Sequence, residues 1–162
     1  MSLRIGDVRL GSMETGTGLT RAATHLAINK CDLANMSYSE SSGLPTEGHY
    51  IKLLAEEVVS KAGCTFVTSA GNSGPCYSST GAPSGMWHGL ITVGAYVMHS
   101  QMQAEYFMLE TVAEQPTTWS SRGPSMDGFK GVDIYAPGSA ITSVPVYGLT
   151  KLEFKNGTSM SR

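Results

Sequence analysis

Four short polar stretches contain the residues of this sequence whose types and spacing could do chemistry. They are Ser69-Ala70-Gly71-Asn72-Ser73-Gly74-Pro75, Trp119-Ser120-Ser121-Arg122-Gly123-Pro124, Ala136-Pro137-Gly138 and Asn156-Gly157-Thr158-Ser159-Met160-Ser161. Their hydroxyls and carboxamides are open to two uses: an activated serine attacks a carbonyl, and an amide N–H stabilises the oxyanion that results. Taken singly, each stretch is equally an ordinary turn, because glycine permits φ > 0 and asparagine caps local backbone groups.

In this order and at these separations, the four together resemble the subtilisin superfamily of serine peptidases. That family's serine motif reads G-T-S-M followed by Ala or Ser, and its oxyanion asparagine sits in a strand-terminal A-G-N-x-G. The W-S-S-R-G-P and A-P-G stretches occupy the places the family gives them. The resemblance implies that Ser159 is the nucleophile, opening a long buried helix whose dipole favours the developing oxyanion. It also implies that Gly157 permits a tight turn, that the Ser159 amide is one oxyanion donor, and that Asn72 supplies the other. Asn35-Met36-Ser37-Tyr38-Ser39 matches the edge strand that pairs with substrate backbone, so Ser37, Tyr38 and Ser39 are expected to bind substrate. Ser69-Ala70-Gly71 matches the opposite wall, with Ser69 and Gly71 as its candidate substrate-binding residues.

Within the superfamily, Arg4-Ile5-Gly6-Asp7, Met13-Glu14-Thr15-Gly16-Thr17-Gly18, Gly94-Ala95-Tyr96-Val97 and the W-S-S-R-G-P stretch look like the tripeptidyl-peptidase II branch. The likeness covers essentially the whole chain, including a long excursion over 98–116 that short secreted subtilisins lack. It implies a cytoplasmic exopeptidase that removes tripeptides from free N-termini of peptide substrates and assembles into large homo-oligomers. Counting three residues from a free amine requires a fixed anion for the ammonium, and Glu14 and Glu40 are the candidates. The competing readings are an ordinary subtilisin-like endopeptidase and a catalytically dead, truncated fragment that retains peptide binding.

A serine peptidase of this type also needs a base and a carboxylate that orients it. The family's D-[ST]-G and H-G-T-H type motifs do not occur in the sequence, and His25, His49, His88 and His99 all lie outside the family's pattern. Arg162 stands where a small residue is usual, and the family's S-x-P continuation into the helix does not follow. The expectation is that residues 1–162 form a partial subtilisin-like peptidase domain, inactive and marginally folded alone, from a larger enzyme.

The elements that must position these groups follow an α/β pattern. Residues 3–8 and 32–38 read as short strands, 18–29 as a helix with Leu19, Ala22, Ala23 and Leu26 at helical spacing. A second helix is predicted over 47–62, with Ile51, Leu54, Val58 and Ala62 on one face, then strands over 64–68 and 90–96. The alternation argues for a parallel sheet with flanking helices, incomplete where the family's Asp, His and post-Ser segments are absent. Residues 98–116 are compatible with either a surface excursion or a short helix, and the Gly-, Pro- and Ser-rich second half with strands joined by structured loops.

Composition sets the remaining bounds. With 41% hydrophobic and 15% charged residues, the 162-residue chain can bury a core. A net charge of −2 gives no electrostatic case for nucleic acid, and no apolar run approaches the roughly 20 residues of a membrane span. Cys31, Cys64 and Cys76 are an odd set without C-x-x-C spacing, as expected of reduced cysteines in a cytoplasmic protein. No oxygen-ligand cluster argues for calcium, and neither a metal nor a cofactor is expected.

Overall fold

A computed structural model of the chain describes residues 16–40, 53–142 and 153–162. The predicted strand over 3–8, and with it Glu14, His49 and Ile51, lies outside the described residues.

The central strand is β3 (Leu90–Val97), apolar almost throughout and buried without a break from Thr92 to Ala95. A strand buried on both faces belongs in the middle of a parallel sheet, and β3 sits there. β2 (Thr65–Ser69) pairs parallel with Leu90 to Val93 along one edge of β3, and β1 (Leu33–Met36) pairs parallel with β2. Along the other edge, β5 (Ile134–Pro137) pairs parallel with Val93 to Tyr96. The two-residue strand β4 (Gln115–Pro116) adds an antiparallel contact with Tyr96 and Val97. β6 (Ser139–Thr142) and β7 (Glu153–Asn156) form a separate antiparallel pair.

Parallel neighbours need a crossover, and the chain supplies two kinds. From β1 to β2 it passes through α2 (Leu54–Lys61), which packs on α1 (Gly16–Ile28). Leu19 and Ala23 of α1, Leu54 and Val58 of α2, and Phe66 and Leu90 of the sheet share one core with Met86. From β2 to β3 the crossover is a loop over 70–89, and that loop carries Asn72.

The predicted helices form on the expected faces, with one difference. α2 is wound as a π-helix, with the Ala62 amide bonded to the Glu57 carbonyl five residues back. The Ser60 hydroxyl donates to the Ala55 carbonyl at 2.7 Å over the same interval, which suits the wider turn. The wider turn also buries Ala55 beside Leu54 and Val58. The 98–116 stretch is a helix followed by an excursion: α3 (His99–Tyr106), then exposed chain with Phe107 at 86% and Leu109 at 98% exposure, then β4. Buried Gln101 on α3 donates to the Ser139 carbonyl at 3.3 Å and so ties the helix to β6.

All three cysteines are free thiols. Burial, with smaller contributions from Cys31 and Asp32, pushes the Cys64 thiol above its ordinary value. No helix among the described residues is long and apolar enough to cross a membrane.

The parallel register places the C-terminal ends of β1 and β2 side by side, with Met36 opposite Thr68. Residues 37–39 and 70–72 therefore leave the sheet at the same edge, where ligands bind in open α/β sheets. Phe66, 1% exposed, joins this sheet to α1 and α2. Phe66→Ala is expected to cost about 3–5 kcal/mol, read as a lowered midpoint in urea unfolding. An unchanged midpoint would mean that the helices do not pack on β2 as described.

Candidate functional site

The nucleophile candidate sits in a single helical turn, α4 (Thr158–Ser161), that packs against β2, β3 and β5. Two bonds fix its approach. The Gly157 amide donates to the Gly138 carbonyl at 2.9 Å, and the Gly138 amide to the Tyr96 carbonyl at 3.0 Å. A side chain at Gly138 would lie 2.4 Å from the Ala95 Cβ, so only glycine lets this corner reach the central strand. The Ser139 hydroxyl then donates to Asn156 Oδ1 at 2.6 Å. The A-P-G stretch thus anchors the strand that delivers Ser159.

Asn72 meets this turn from the opposite side. Its Oδ1 accepts from both the amide and the hydroxyl of Thr158, each at 3.0 Å. The Thr158 hydroxyl in turn accepts from the Gly71 amide at 3.2 Å. With the oxygen of the carboxamide engaged twice, Nδ2 is directed away from Thr158 as a donor.

The space that Nδ2 faces can be located from Gly157. A Cβ built on that glycine would lie 3.5 Å from Asn72 Nδ2 and 3.7 Å from the Ser159 amide nitrogen. As a first-turn amide, Ser159 N–H has no carbonyl one turn back within its helix. Asn72 Nδ2 and the Ser159 amide thus lie near one position beside Gly157, with Met160 Sδ also 3.6 Å from it, and two neighbouring donors are what holding an oxyanion requires. Gly157 is extended, at φ 160° and ψ 156°, so its backbone would suit any residue. It was expected to permit a tight turn; its backbone is extended instead, and the place of its missing Cβ lies near both donors.

The Ser159 hydroxyl donates to the Ser37 carbonyl at 3.2 Å, which brings the turn against the chain leaving β1. Ser39 Oγ lies 3.5 Å from the position of a Gly71 Cβ, so the two predicted walls meet. Ser69 is 2% exposed and its carbonyl accepts from Ser84 Oγ, so it supports the wall from beneath. Glu40 is half-buried, and its Oε1 accepts from the Tyr38 hydroxyl at 3.3 Å. Its backbone exchanges two bonds with Ala82, at 2.9 and 3.0 Å.

The structure thus brings together Ser159, Asn72, Ser37, Ser39 and Gly71, with Tyr38 and Glu40 adjoining. Glu14 lies outside the described residues. Among the described residues no histidine bonds to Ser159: His25 ends α1, His88 packs edge-on against Phe129, and His99 bonds to Thr111. No cluster of three His, Cys, Asp or Glu that could hold a metal occurs among the described residues. Two residues on which Asn72 depends were given no role from the sequence. Thr158 was quoted only as part of the serine motif, and Ser121 only as part of W-S-S-R-G-P; membership of those motifs is the signal both carried.

Comparison with known proteins bears on the family and the fold. The model of the Subtilase family matches residues 1–161. The chain is 49% identical over 162 residues to a tripeptidyl-peptidase 2 of Oryza sativa subsp. japonica, covering 99% of this chain and 12% of that protein. It is 45% identical to a tripeptidyl-peptidase 2 of Drosophila melanogaster, again covering 99% of this chain and 12% of that protein. Among solved structures, a crystal structure of tripeptidyl peptidase 2 (TPP II) matches with a TM-score of 0.70 and 42% identity, over 85% of this chain and 11% of that one. Sphericase matches in fold with a TM-score of 0.63 at 20% identity, over 93% of this chain and 46% of that one. The chain therefore spans about an eighth of the length of the curated relatives it matches.

The position beside Gly157 generates a test. Gly157→Ala places a methyl between the two donors while leaving the extended backbone unstrained. It is expected to lower turnover of a peptide substrate by on the order of 10²-fold, as the loss of an oxyanion donor does, with the melting temperature nearly unchanged. Full activity in that variant would mean that the two donors do not share an oxyanion.

Proposed function

The chain belongs to the subtilase family of serine peptidases, and from that premise we propose that residues 1–162 are the nucleophile-bearing part of a peptidase domain in a longer polypeptide. The enzyme removes tripeptides from the free N-termini of oligopeptides through an acyl-enzyme. The observation that carries this reading is the approach of Asn72 Nδ2 and the Ser159 amide to one position beside Gly157, in the turn whose Ser159 hydroxyl meets the Ser37 carbonyl.

In this mechanism the Ser159 hydroxyl leaves the Ser37 carbonyl and gives its proton to a base supplied from outside the described residues. Oγ attacks the scissile carbonyl, and the oxyanion is held by Asn72 Nδ2 and the Ser159 amide. The C–N bond breaks, the amine departs with the proton, and water then hydrolyses the ester. Preorganised donors stabilise the charge that develops in the transition state, which is where binding contributes to rate.

The exopeptidase reading rests on the similarity to tripeptidyl-peptidase 2 and on one feature of the edge. Glu40 lies three residues beyond Ser37, whose carbonyl meets the nucleophile. Three extended residues span roughly 10 Å, so a substrate strand running along residues 37–39 brings its third residue to the neighbourhood of Glu40. The Glu40 backbone is committed to Ala82, so a substrate ladder along this edge ends at Ser39. A carboxylate at the end of a three-residue ladder suits an ammonium better than further peptide. Glu14 is the second proposed anchor. Cytoplasmic location and homo-oligomeric assembly belong to the same proposal.

A fluorophosphonate probe is expected to label Ser159 in the longer polypeptide, with labelling abolished in Ser159→Ala. Asn72→Ala should lower turnover by on the order of 10²–10³. Absence of label at Ser159 in a folded enzyme would sink the peptidase reading. Glu40→Gln and Glu14→Gln are each expected to raise KM for free-amine substrates about tenfold or more, since a hydrogen bond to a charged group is worth about 1.5–3 kcal/mol. N-acetylated substrates, which cannot use the anchor, should be turned over no differently. An equal response of both substrate types would favour an endopeptidase.

A further inference from the structure

The W-S-S-R-G-P stretch has no part in the chemistry above, yet it lies directly beneath Asn72. Thr158 fixes the carboxamide of Asn72, but nothing so far fixes its backbone. Asn72 and Ser73 are exposed and lie on a 20-residue crossover without a helix, the kind of segment that opens locally at little cost.

Ser121 holds it at two points. The Ser121 amide donates to the Gly71 carbonyl at 2.9 Å, and its hydroxyl accepts from the Ser73 amide at 3.0 Å. Both bonds come from one fully buried residue, at 0% exposure, and they grip the chain immediately before and after Asn72. A third bond, from the Gly74 amide to the Trp119 carbonyl at 3.0 Å, continues the contact. It depends on close approach, because a Cβ at Gly74 would lie 2.1 Å from the Ser120 carbonyl oxygen. Neighbouring Ser120 is equally buried but faces the other way, its hydroxyl accepting from the Ala95 amide of β3 at 3.0 Å.

We propose that Ser121 is a positioning residue for the oxyanion donor, its two bonds holding the backbone on each side of Asn72 so that Nδ2 and the Ser159 amide converge. Ser121 acts only through Asn72. Its effect is on the transition state, because an oxyanion donor contributes in proportion to how well it is preorganised. Ser73 is an exposed residue, so its amide can turn to water when the Ser121 hydroxyl is lost, and the cost falls on donor alignment more than on folding. This inference rests on the peptidase reading.

The test is a double-mutant cycle in the active longer polypeptide, read by kcat and KM on one peptide substrate, by the rate of fluorophosphonate labelling at Ser159, and by melting temperature. Ser121→Ala is expected to lower kcat and the labelling rate about tenfold, the effect of one hydrogen bond's free energy, with KM changed less than about twofold. Ser121→Cys, which keeps the size and a weak acceptor, should fall between wild type and Ser121→Ala, and it carries the test if the alanine variant does not fold. In an Asn72→Ala background, Ser121→Ala should lower kcat no further, because the group it positions is gone. Ser120→Ala should lower the melting temperature without lowering kcat.

Three results would overturn the inference alone: unchanged kcat in folded Ser121→Ala, multiplicative losses in the cycle, or an equal kcat loss in Ser120→Ala. A folded wild type that neither turns over peptide nor labels at Ser159 would overturn the peptidase reading, and this inference with it.

Discussion

Asn72 Oδ1 accepts twice from Thr158, a residue 86 positions later in the chain, and a carboxamide has two ends. Fixing its oxygen fixes where its nitrogen points. The Thr158 hydroxyl donates to Asn72 while accepting from the Gly71 amide, so the bonds run head to tail and polarise one another. Thr158 is 1% exposed, which keeps water from competing for either partner. Without that pair of bonds the Asn72 side chain would rotate in solvent, and its Nδ2 would have no fixed place beside the Ser159 amide.

For the pair to form, two distant segments must end within about 3 Å of each other, and the sheet accomplishes that. β1, β2 and β3 run parallel, so the loops that follow β1 and β2 leave from one edge. β3 receives Ala70 at the Val93 carbonyl and, three residues further on at the Tyr96 carbonyl, the Gly138 corner that anchors Gly157. The central strand is thus the common reference for both oxyanion donors. Its small residues are part of that role: Ala95 leaves space for the Gly138 corner, and Gly94 leaves space for the Tyr135 ring, which would lie 2.4 Å from a Cβ there. Larger residues at either place would push one donor away from the other.

This division explains what the sequence disclosed. The helical face of Leu19, Ala23 and Leu26, and the apolar runs of β2 and β3, are local patterns set by burial, and each formed where its period indicated. The serine and asparagine motifs were legible because both are short and contiguous. Contacts between motifs were not. Ser121 in W-S-S-R-G-P reads as a turn residue until the strands bring it beneath Asn72, and Thr158 reads as a spacer until Gly138 fixes the approach of Gly157. The π-type winding of α2 was hidden for a related reason, since Leu54 and Val58 satisfy an α-helical spacing and the burial of Ala55 reveals the wider turn only in three dimensions. In the 98–116 stretch only Gln101 and Met102 are buried on the helix, too few to give a period.

The site as built separates two components of catalysis that are often treated as one. The donors proposed to stabilise the oxyanion, Asn72 and the Ser159 amide, are set by groups around this sheet: Thr158 and the chain leaving β1. Proton transfer is not, since the Ser159 hydroxyl donates to a backbone carbonyl and meets no base among the described residues. A hydroxyl held that way is unactivated, because a peptide carbonyl cannot take its proton. The donors need no such partner, because their orientation is set by bonds to one another. Oxyanion holes of this kind retain about 10³–10⁴-fold acceleration over water when a triad member is lost. The oxyanion half can therefore be set by the fold of β1, β2, β3 and α4 in advance, while the base has only to reach a hydroxyl whose position is already fixed.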